Sequence, residues 1–317
     1  MELSIKENEL GIVAPLVDRR SAATRTMSGS EVRKARRQAS PGATSRKIKS
    51  LVVRTLVFVC AAITLGILIF MLAYIMVKGV PYLNKDLFSL KYTSENCSVV
   101  PALVNTLLMT ILALAIACPL GIGSAIYLVE YAKKGNKFVK VVRMTTETLT
   151  GIPSIIYGLF GMLLFVGTLH WGYSLLAGSC TVAIMILPVI MRTTEEALLA
   201  VPDSFREGSF GLGAGKLRTV FKIVLPDAVP GILSGIILAT GRVVGETAAL
   251  IYTAGTVAQI PENVFASGRT LAVHMYVLSS EGLHTNQAFA TAVVLLIFVI
   301  AINGLSELIA KKIGNKK

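Results

Sequence analysis

The residues of this sequence best placed to do chemistry are two opposite charges inside an apolar stretch, GILSGIILATGRVVGETAAL. Arg242 and Glu246 lie four positions apart, so on a continuous helix they share one face and are close enough to pair. Small side chains fall on the same face, which favours contact with another helix over contact with lipid. These small residues are Gly231, Gly235, Ala239, Gly245 and Ala249.

A charge in the middle of a membrane span costs about 2.5–3.5 kcal/mol to insert, so Arg242 requires a partner or a function. In one interpretation, Arg242 and Glu246 form a structural ion pair and bind nothing else. In the other, Arg242 presents its planar donor fork to a tetrahedral oxyanion, Glu246 holds the guanidinium in place, and Thr247 adds a hydroxyl. Arg192, at the end of an earlier apolar stretch, then either passes the anion onward or serves only as a topological charge.

A polar, glycine-rich loop, SFREGSFGLGAGKLRTVFKIVLP, begins at Ser204 and leads into the charged apolar stretch. Ser204 and Glu207 have the spacing of a capping box, which predicts a short helix over residues 205–212. That helix exposes apolar side chains, and such side chains in a loop either dip into lipid or fill the groove of a partner. The side chains are Phe205, Phe210 and Leu212.

After this helix, Gly213 and Gly215 allow the chain to reverse, and a second helix over residues 216–224 is expected to end before Pro226. The run GLGAGK must also be tested as a phosphate-binding loop, whose pattern is Gly-x4-Gly-Lys-Ser/Thr. Phe210 occupies the position of the first glycine, and neither serine nor threonine follows the lysine. Nucleotide binding by this chain is therefore excluded.

Long apolar blocks dominate the composition of the 317-residue chain. It is 54% hydrophobic and 15% charged, with a mean hydropathy of +0.69, whereas a soluble domain carries about 25% charged residues. A helical span takes about 20 residues. The sequence therefore predicts an all-α integral membrane protein with six transmembrane helices, at residues 54–79, 103–129, 150–168, 173–191, 229–253 and 287–309.

The net charge of +13 follows the predicted loops. Most lysines and arginines lie in the N-terminal tail, in the second-to-third and fourth-to-fifth loops, and at the C-terminus. By the positive-inside rule, both termini are cytosolic. The charge distribution therefore indicates the topology of the chain. Membrane lipid is an expected partner, and nucleic acid is not. The expected organisation is a disordered basic tail (1–50), an anchor helix (51–80), an outer loop packed on the outer face (81–99), a membrane domain (100–310) and a basic C-terminus (311–317).

Glycine and proline interrupt the third predicted span, in which Gly151, Pro153, Gly158 and Gly161 lie close together. Irregular backbone at membrane depth is tolerated where it is buried in protein or lines a cavity. The span is therefore expected to be kinked, as a tightly packed helix or as part of a path.

Cysteines and histidines give no sign of a metal, a cofactor or a catalytic centre. The cysteines Cys60, Cys97, Cys118 and Cys180 include no CxxC pair, and the three histidines include no HExxH motif. A membrane enzyme is the least supported function class.

The glycine-rich loop that begins at Ser204 resembles a known motif. Its residues reproduce the EAA loop of ABC-importer membrane subunits, whose pattern is E-A-A, then x3-G, then x9-I-x-L-P. The resemblance implies that the EAA-like loop (residues 203–228) docks in a cleft of a separate ATPase and transmits its closure. Glycine and serine replace the two alanines of the pattern. The matching positions are Glu207, Gly208, Ser209, Gly213, Ile223, Leu225 and Pro226.

Further stretches resemble the phosphate permeases among these subunits: IGSAIYLVEYAKKG, ETLTGIPSIIYGLFG, GRVVGETAAL and TLAVHMYVLSSEG. They cover most of residues 100–310, and two of them are more similar to PstA-type than to PstC-type subunits. The resemblance implies a type I (MetI-like) permease core formed by the last five helices. It also implies a role as the non-catalytic permease subunit of an ATP-driven phosphate importer in a bacterial inner membrane.

The partners that the resemblance implies are a PstC-like second permease, a PstB-like ATPase dimer and a PstS-like outer binding protein. Two rival functions stay open. One is the same machine with sulfate or molybdate as cargo, and the other is a channel or carrier that uses Arg242 and Glu246 without ATP.

Overall fold

The computed structural model of the chain describes residues 43–133 and 135–314, and these residues form helices and connecting turns without any strand. Most of the predicted basic tail therefore lies outside the described residues. The helices are α1 (Ala43–Gly79), α2 (Val100–Ile126), α3 (Lys137–Thr150), α4 (Ser154–Gly161), α5 (Leu175–Leu199), α6 (Asp203–Gly211), α7 (Lys216–Thr219), α8 (Leu225–Val244), α9 (Ala248–Ile251), α10 (Leu271–Glu281) and α11 (Thr285–Gly314). π turns extend α2, α4 and α7 at Tyr127–Tyr131, Met162–Thr168 and Val220–Val224.

Five helical segments are long and apolar enough to cross a membrane, namely Lys49–Tyr82, Val100–Tyr131, Leu175–Leu199, Lys216–Val244 and Thr285–Lys312. A sixth span results if the bent pair formed by α3 and the α4 segment, which meet at 103°, counts as one. The kink predicted in the third span is confirmed as a full break, because Pro153 keeps the chain extended and α4 begins only at Ser154. The all-α membrane fold is thus confirmed.

Residues 43–71, the larger part of α1, form a compact unit of their own within the described chain. Every side chain from residue 49 to residue 71 is exposed, and the segment is almost entirely apolar. An exposed apolar surface of this length is stable only in a lipid environment.

Residues 72–314 contain the helix packing that positions the functional residues. Here α5 crosses α2 and α8, and its buried side chains Met185, Ile186 and Ile190 form one core with residues of both neighbours. Glycines permit the close approach, since a Cβ at Gly121 would meet Ile190 and a Cβ at Gly235 would meet Thr193. The small-residue face predicted for the charged stretch is therefore a helix contact at Gly231, Gly235 and Ala239, whereas Gly245 is exposed and Ala249 lies beyond the end of this helix.

We expect Gly235→Ala to destabilise the packing of α8 on α5 by about 1–3 kcal/mol, because overpacking a tight contact strains both elements. The added methyl would lie 2.7 Å from Cβ of Thr193 and closer still to its hydroxyl. The matched control is Gly304→Ala in α11, where nothing lies within 4 Å and alanine should stabilise the helix by about 0.5–1 kcal/mol. Thermal unfolding of the purified protein measures both, and equal melting temperatures would contradict the expected contact.

One prediction about the EAA-like loop is wrong. The second loop helix does not end before Pro226, because α7, its π turn and α8 form one continuous helix from Lys216 to Val244. A proline ring normally clashes with the carbonyl four residues earlier, here that of Lys222. That residue lies inside the π turn Val220–Val224, where the wider backbone spacing gives the ring room.

The bundle has two ends that differ in charge. The basic end carries Arg143, Arg192, Arg206 and Lys216 and includes the EAA-like loop. At the opposite end, residues 80–99 pack onto the bundle, since Leu87 and Val99 share a buried cluster with Leu271 of α10 and Ala290 of α11. The packing predicted for the 81–99 segment is seen here, whereas α10 was not predicted.

Candidate functional site

The EAA-like loop begins with α6, a nine-residue helix at Asp203–Gly211. The predicted capping box is wrong, because Pro202 is the residue before the first turn and no side chain caps the helix. Pro202 holds the extended backbone that starts the helix two residues earlier than predicted, which puts Ser204 inside the first turn. Glu207 and Gly208 lie on the exposed side of α6, and Ser209 is buried.

The turn between α6 and α7 is held by one glycine and one side-chain contact. Gly213 has φ +81°, the left-handed region that a residue with a Cβ rarely adopts. Gly215 is extended instead, so Gly213 alone makes the predicted reversal. The buried hydroxyls of Ser209 and Thr219 lie 2.8 Å apart and fix α6 against the long helix that leads to α8.

The apolar side chains predicted to be exposed on this loop are exposed. Phe205 and Phe210 are each 47% exposed, and Leu212 is 92% exposed. A leucine this exposed contributes almost nothing to the packing of its own chain. The loop thus presents an apolar patch next to Glu207, which is the arrangement expected of a docking surface.

A buried arginine that the sequence did not single out anchors α6 to the rest of the basic end. The guanidinium of Arg206 donates to Oε1 of Glu130 at 2.8 and 3.1 Å. It also donates to the carbonyl of Val201 at 2.7 Å and to that of Leu198 at 2.9 Å. The side chains of Arg206 and Glu130 are 14% and 8% exposed. Since 76 residues separate the two partners, no local pattern could reveal the pair.

The arrangement predicted for Arg242 and Glu246 depended on a continuous helix, and the helix is not continuous. α8 ends at Val244, and α9 begins at Ala248. Glu246 accepts a hydrogen bond from the backbone N–H of Ala249 at 3.0 Å, so it caps α9 and does not hold Arg242. Among the described residues, Arg242 has neither an ion pair nor a hydrogen bond from its half-buried side chain.

Thr247 lies in the break between α8 and α9, and Arg192 lies elsewhere. Thr247 lines a cavity of about 410 Å³ with Tyr276 of α10 and Phe289 of α11. Arg192 is exposed at the basic end and pairs with Glu196 at 3.0 Å. The contact of its neighbour Thr193 with Gly235 places it about 10 Å along α8 from Arg242. The structure therefore groups Arg242, Glu246 and Thr247 at the break and separates Arg192 from them.

Comparison with known proteins agrees with this architecture. Residues 117–315 match the family described as "Binding-protein-dependent transport system inner membrane component". The probable ABC transporter permease protein YqgI of Bacillus subtilis (strain 168) is 33% identical over 291 residues, which is 85% of this chain and 99% of that protein. The phosphate transport system permease protein PstA of Mycobacterium leprae (strain TN) is 32% identical over 275 residues, with 83% and 89% covered. PstA of Pasteurella multocida (strain Pm70) is 31% identical over 271 residues, with 81% and 93% covered.

Two solved ABC transporters share the fold. A bacterial alginate ABC transporter matches with a TM-score of 0.63 at 15% identity, over 86% of this chain and 98% of that one. The MetNI methionine ABC transporter matches with a TM-score of 0.52 at 23% identity, over 68% and 94%. The predicted MetI-like permease core is confirmed. The chain therefore belongs to the family of binding-protein-dependent transport system inner membrane components, as a multi-pass permease subunit of an ABC importer that fits the PstA type.

Proposed function

We propose that this chain is the PstA-like permease subunit of an ATP-driven importer of inorganic phosphate and forms half of the translocation path. The observation that carries the proposal is the break in the membrane helix after Arg242, which leaves this arginine without a partner among the described residues. An unpaired arginine in a span is costly and marks a functional site. Its planar donor fork suits two oxygens of a tetrahedral anion. Relatives named as phosphate permeases specify which anion.

The residues around the break have separate roles in this proposal. Arg242 binds phosphate as it passes, and the hydroxyl of Thr247 adds a second polar group at the same level. Glu246 caps α9 and so holds the broken backbone in shape. Its negative charge, within the break, also keeps the empty path from being strongly positive. Arg192 lies further toward the basic end, where it would receive the anion after Arg242.

The long helix gives a physical route for coupling. Lys216–Val244 is a continuous helix of 29 residues, about 43 Å long, with the EAA-like loop at one end and Arg242 near the other. Docking of an ATPase on Glu207, Gly208 and the apolar patch would move α6. The fixed contact between Ser209 and Thr219 passes that movement to the helix. Leu225 and Pro226 lie within this continuous helix and do not form a hinge in it.

The proposed assembly contains a PstC-like second permease, two PstB-like ATPase subunits and a PstS-like binding protein in a bacterial inner membrane. ATP hydrolysis takes place on the ATPase subunits. The basic end faces the cytosol together with both termini, because lysines and arginines concentrate there, and the opposite end meets the binding protein.

The proposed cargo is tested by measuring ATP hydrolysis of the purified complex with its co-purifying binding protein. We expect phosphate to stimulate hydrolysis when it is loaded on that protein, and sulfate or molybdate to have little effect. Stimulation by sulfate or molybdate alone would assign the same machine to another oxyanion. Phosphate uptake that persists in cells lacking every ATPase of this class would support the ATP-independent channel.

Gly213→Ala is expected to uncouple ATP hydrolysis from uptake or to weaken ATPase docking. A side chain at φ +81° strains the turn by about 1–2 kcal/mol, so α6 should lose its fixed position. Gly211→Ala is the control, since it adds the same methyl to the same loop where nothing lies within 4 Å and φ is not positive. The ratio of phosphate imported to ATP hydrolysed checks both variants. A normal ratio in Gly213→Ala would remove the coupling role of this turn.

A further inference from the structure

A second buried arginine lies at the opposite end of the bundle, outside the broken helix. Arg269 is 4% exposed and lies two residues before the start of α10. Its Nε and Nη2 atoms are buried and have no hydrogen-bond partner among the described residues, and the side chain forms no ion pair there. A buried cation without a counter-charge is strongly unfavourable, so this site calls for an anion.

The two unpaired nitrogens of Arg269 identify how the anion is held. The N–H bonds of Nε and Nη2 run parallel along one edge of the guanidinium plane. This edge is a two-pronged donor that fits two oxygens of a phosphate or carboxylate group. The Tyr92 ring lies 4.6 Å from the guanidinium carbon. That contact partly stabilises the cation but leaves both edge donors unused.

The surroundings of Arg269 add further positive potential. The N-terminus of α10, an 11-residue helix, contributes the partial positive charge of its first turn. The Leu271 N–H of this turn donates to the Thr106 hydroxyl at 2.8 Å. Thr270 does not cap the turn, and its buried Oγ1 has no partner among the described residues. Lys91 lines a neighbouring cavity of about 530 Å³.

This cavity is a route to the arginine. Tyr92 and Val257 both line it. The Tyr92 ring covers the guanidinium, and the carbonyl of Val257 accepts from the backbone N–H of Arg269 at 2.9 Å. One layer of residues thus separates the cavity from the arginine, and movement of the Tyr92 side chain would join them.

Two buried hydrogen-bond acceptors near Arg269 also lack partners. Nδ2 of Asn105 donates to the carbonyl of Arg269 at 3.1 Å, while its Oδ1 has no donor among the described residues. Burial and the charge of Arg269 lower the pKa of His274 to about 3, so the imidazole is neutral. Its Nε2–H donates to the carbonyl of Cys97 at 3.2 Å, which leaves Nδ1 as an unused acceptor. An anion that carries a proton can serve donors and acceptors together, whereas sulfate at neutral pH offers acceptors only.

We propose that Arg269 and the N-terminus of α10 form a second oxyanion subsite at the opposite end, which receives hydrogen phosphate before it reaches Arg242. Tyr92 covers this subsite and opens it. The inference rests on the proposed phosphate importer for the identity of the ligand. It differs in its residues, since Arg269 and α10 belong to neither α8 nor α9.

Equilibrium binding of radiolabelled phosphate to the full nucleotide-free complex, without its binding protein, tests the subsite. The background is Arg242→Gln, which removes the first arginine. We expect this variant to retain saturable phosphate binding and Arg242→Gln/Arg269→Gln to lose it by ~10-fold or more in affinity, as for a lost bidentate charged contact. Lys85→Gln removes an exposed cation from the outer segment that carries Tyr92. It is the charge control and should change affinity by less than ~3-fold.

Arg269→Lys guards against misfolding, because lysine keeps the charge but supplies no parallel pair of donors. In the Arg242→Gln background, we expect a complex that assembles normally and binds phosphate at least ~5-fold more weakly. Wild-type affinity in both Arg269 variants, or sulfate competing as well as phosphate, would overturn the subsite. Uptake by Arg242→Gln complexes at the wild-type rate would instead contradict the proposed path while leaving this binding assay valid.

Discussion

Arg242→Gln is expected to abolish phosphate uptake, with a loss of at least ~100-fold, while the complex still assembles. Two charge-assisted hydrogen bonds to the anion contribute about 3–6 kcal/mol together, and glutamine replaces them with weaker neutral ones. Assembly should survive because Arg242 makes no hydrogen bond or ion pair that holds the described residues together. Uptake of radiolabelled phosphate by reconstituted complexes measures the effect.

Two variants separate charge from geometry in this result. Arg242→Lys keeps the positive charge but not the planar fork, so uptake should fall to an intermediate level. Lys312→Gln removes an exposed charge near the end of α11 and should leave uptake within ~2-fold of the wild type. If Arg242→Gln complexes import phosphate normally, the arginine is structural and the path lies elsewhere.

Arg206→Gln is expected to detach α6 from the bundle and to uncouple ATP hydrolysis from transport. The substitution leaves the carboxylate of Glu130 buried without its partner, and breaking such a pair costs about 3–5 kcal/mol. Asp203→Asn is the matched control. Asp203 pairs with the same arginine at 3.2 Å but is 83% exposed, so its loss should cost less than about 1 kcal/mol.

The double variant Glu130→Gln/Arg206→Gln sharpens this prediction. It removes both charges and so avoids an uncompensated one, and part of the lost stability should return. Thermal unfolding gives the stability, and ATP consumed per phosphate imported gives the coupling. An Arg206→Gln complex with wild-type values of both would show that α6 does not depend on this anchor.

The sequence was sufficient for the features that depend on local composition. Apolar blocks of about 20 residues predicted the membrane helices. The exposed Phe205, Phe210 and Leu212 were predicted from an apolar pattern inside a polar loop, and the structure confirms their exposure. The reversal at Gly213 followed from its freedom to adopt positive φ.

The features that the sequence did not predict depend on contacts between distant residues or on backbone detail. Pro226 predicts a helix end, but the helix continues through it because Val220–Val224 form a π turn. The break at Gly245 separates Glu246 from Arg242, although their spacing alone predicts a pair. The Arg206–Glu130 anchor and the buried site of Arg269 bring together residues 76 and up to 177 positions apart.

One missed element shows how composition can hide a helix. The basic loop between the second and third predicted spans contains α3, whose polar face carries Lys140 and Arg143. Its residue Val139 is buried on the bundle, whereas Phe138 and Val141 are exposed. The dense positive charge of this stretch predicted a loop. The stretch instead forms a short helix, and its apolar residues lie on two sides of that helix.

In the proposed importer, ATP hydrolysis on the ATPase subunits drives the movement of phosphate past Arg242. The most direct measurement is uptake of radiolabelled phosphate into liposomes that contain the complete complex, with the loaded binding protein outside and ATP inside. We expect uptake that requires ATP, stops when the ATPase is made inactive, and is lost in Arg242→Gln. Phosphate accumulation without ATP, or ATP-driven uptake unchanged in Arg242→Gln, would contradict it.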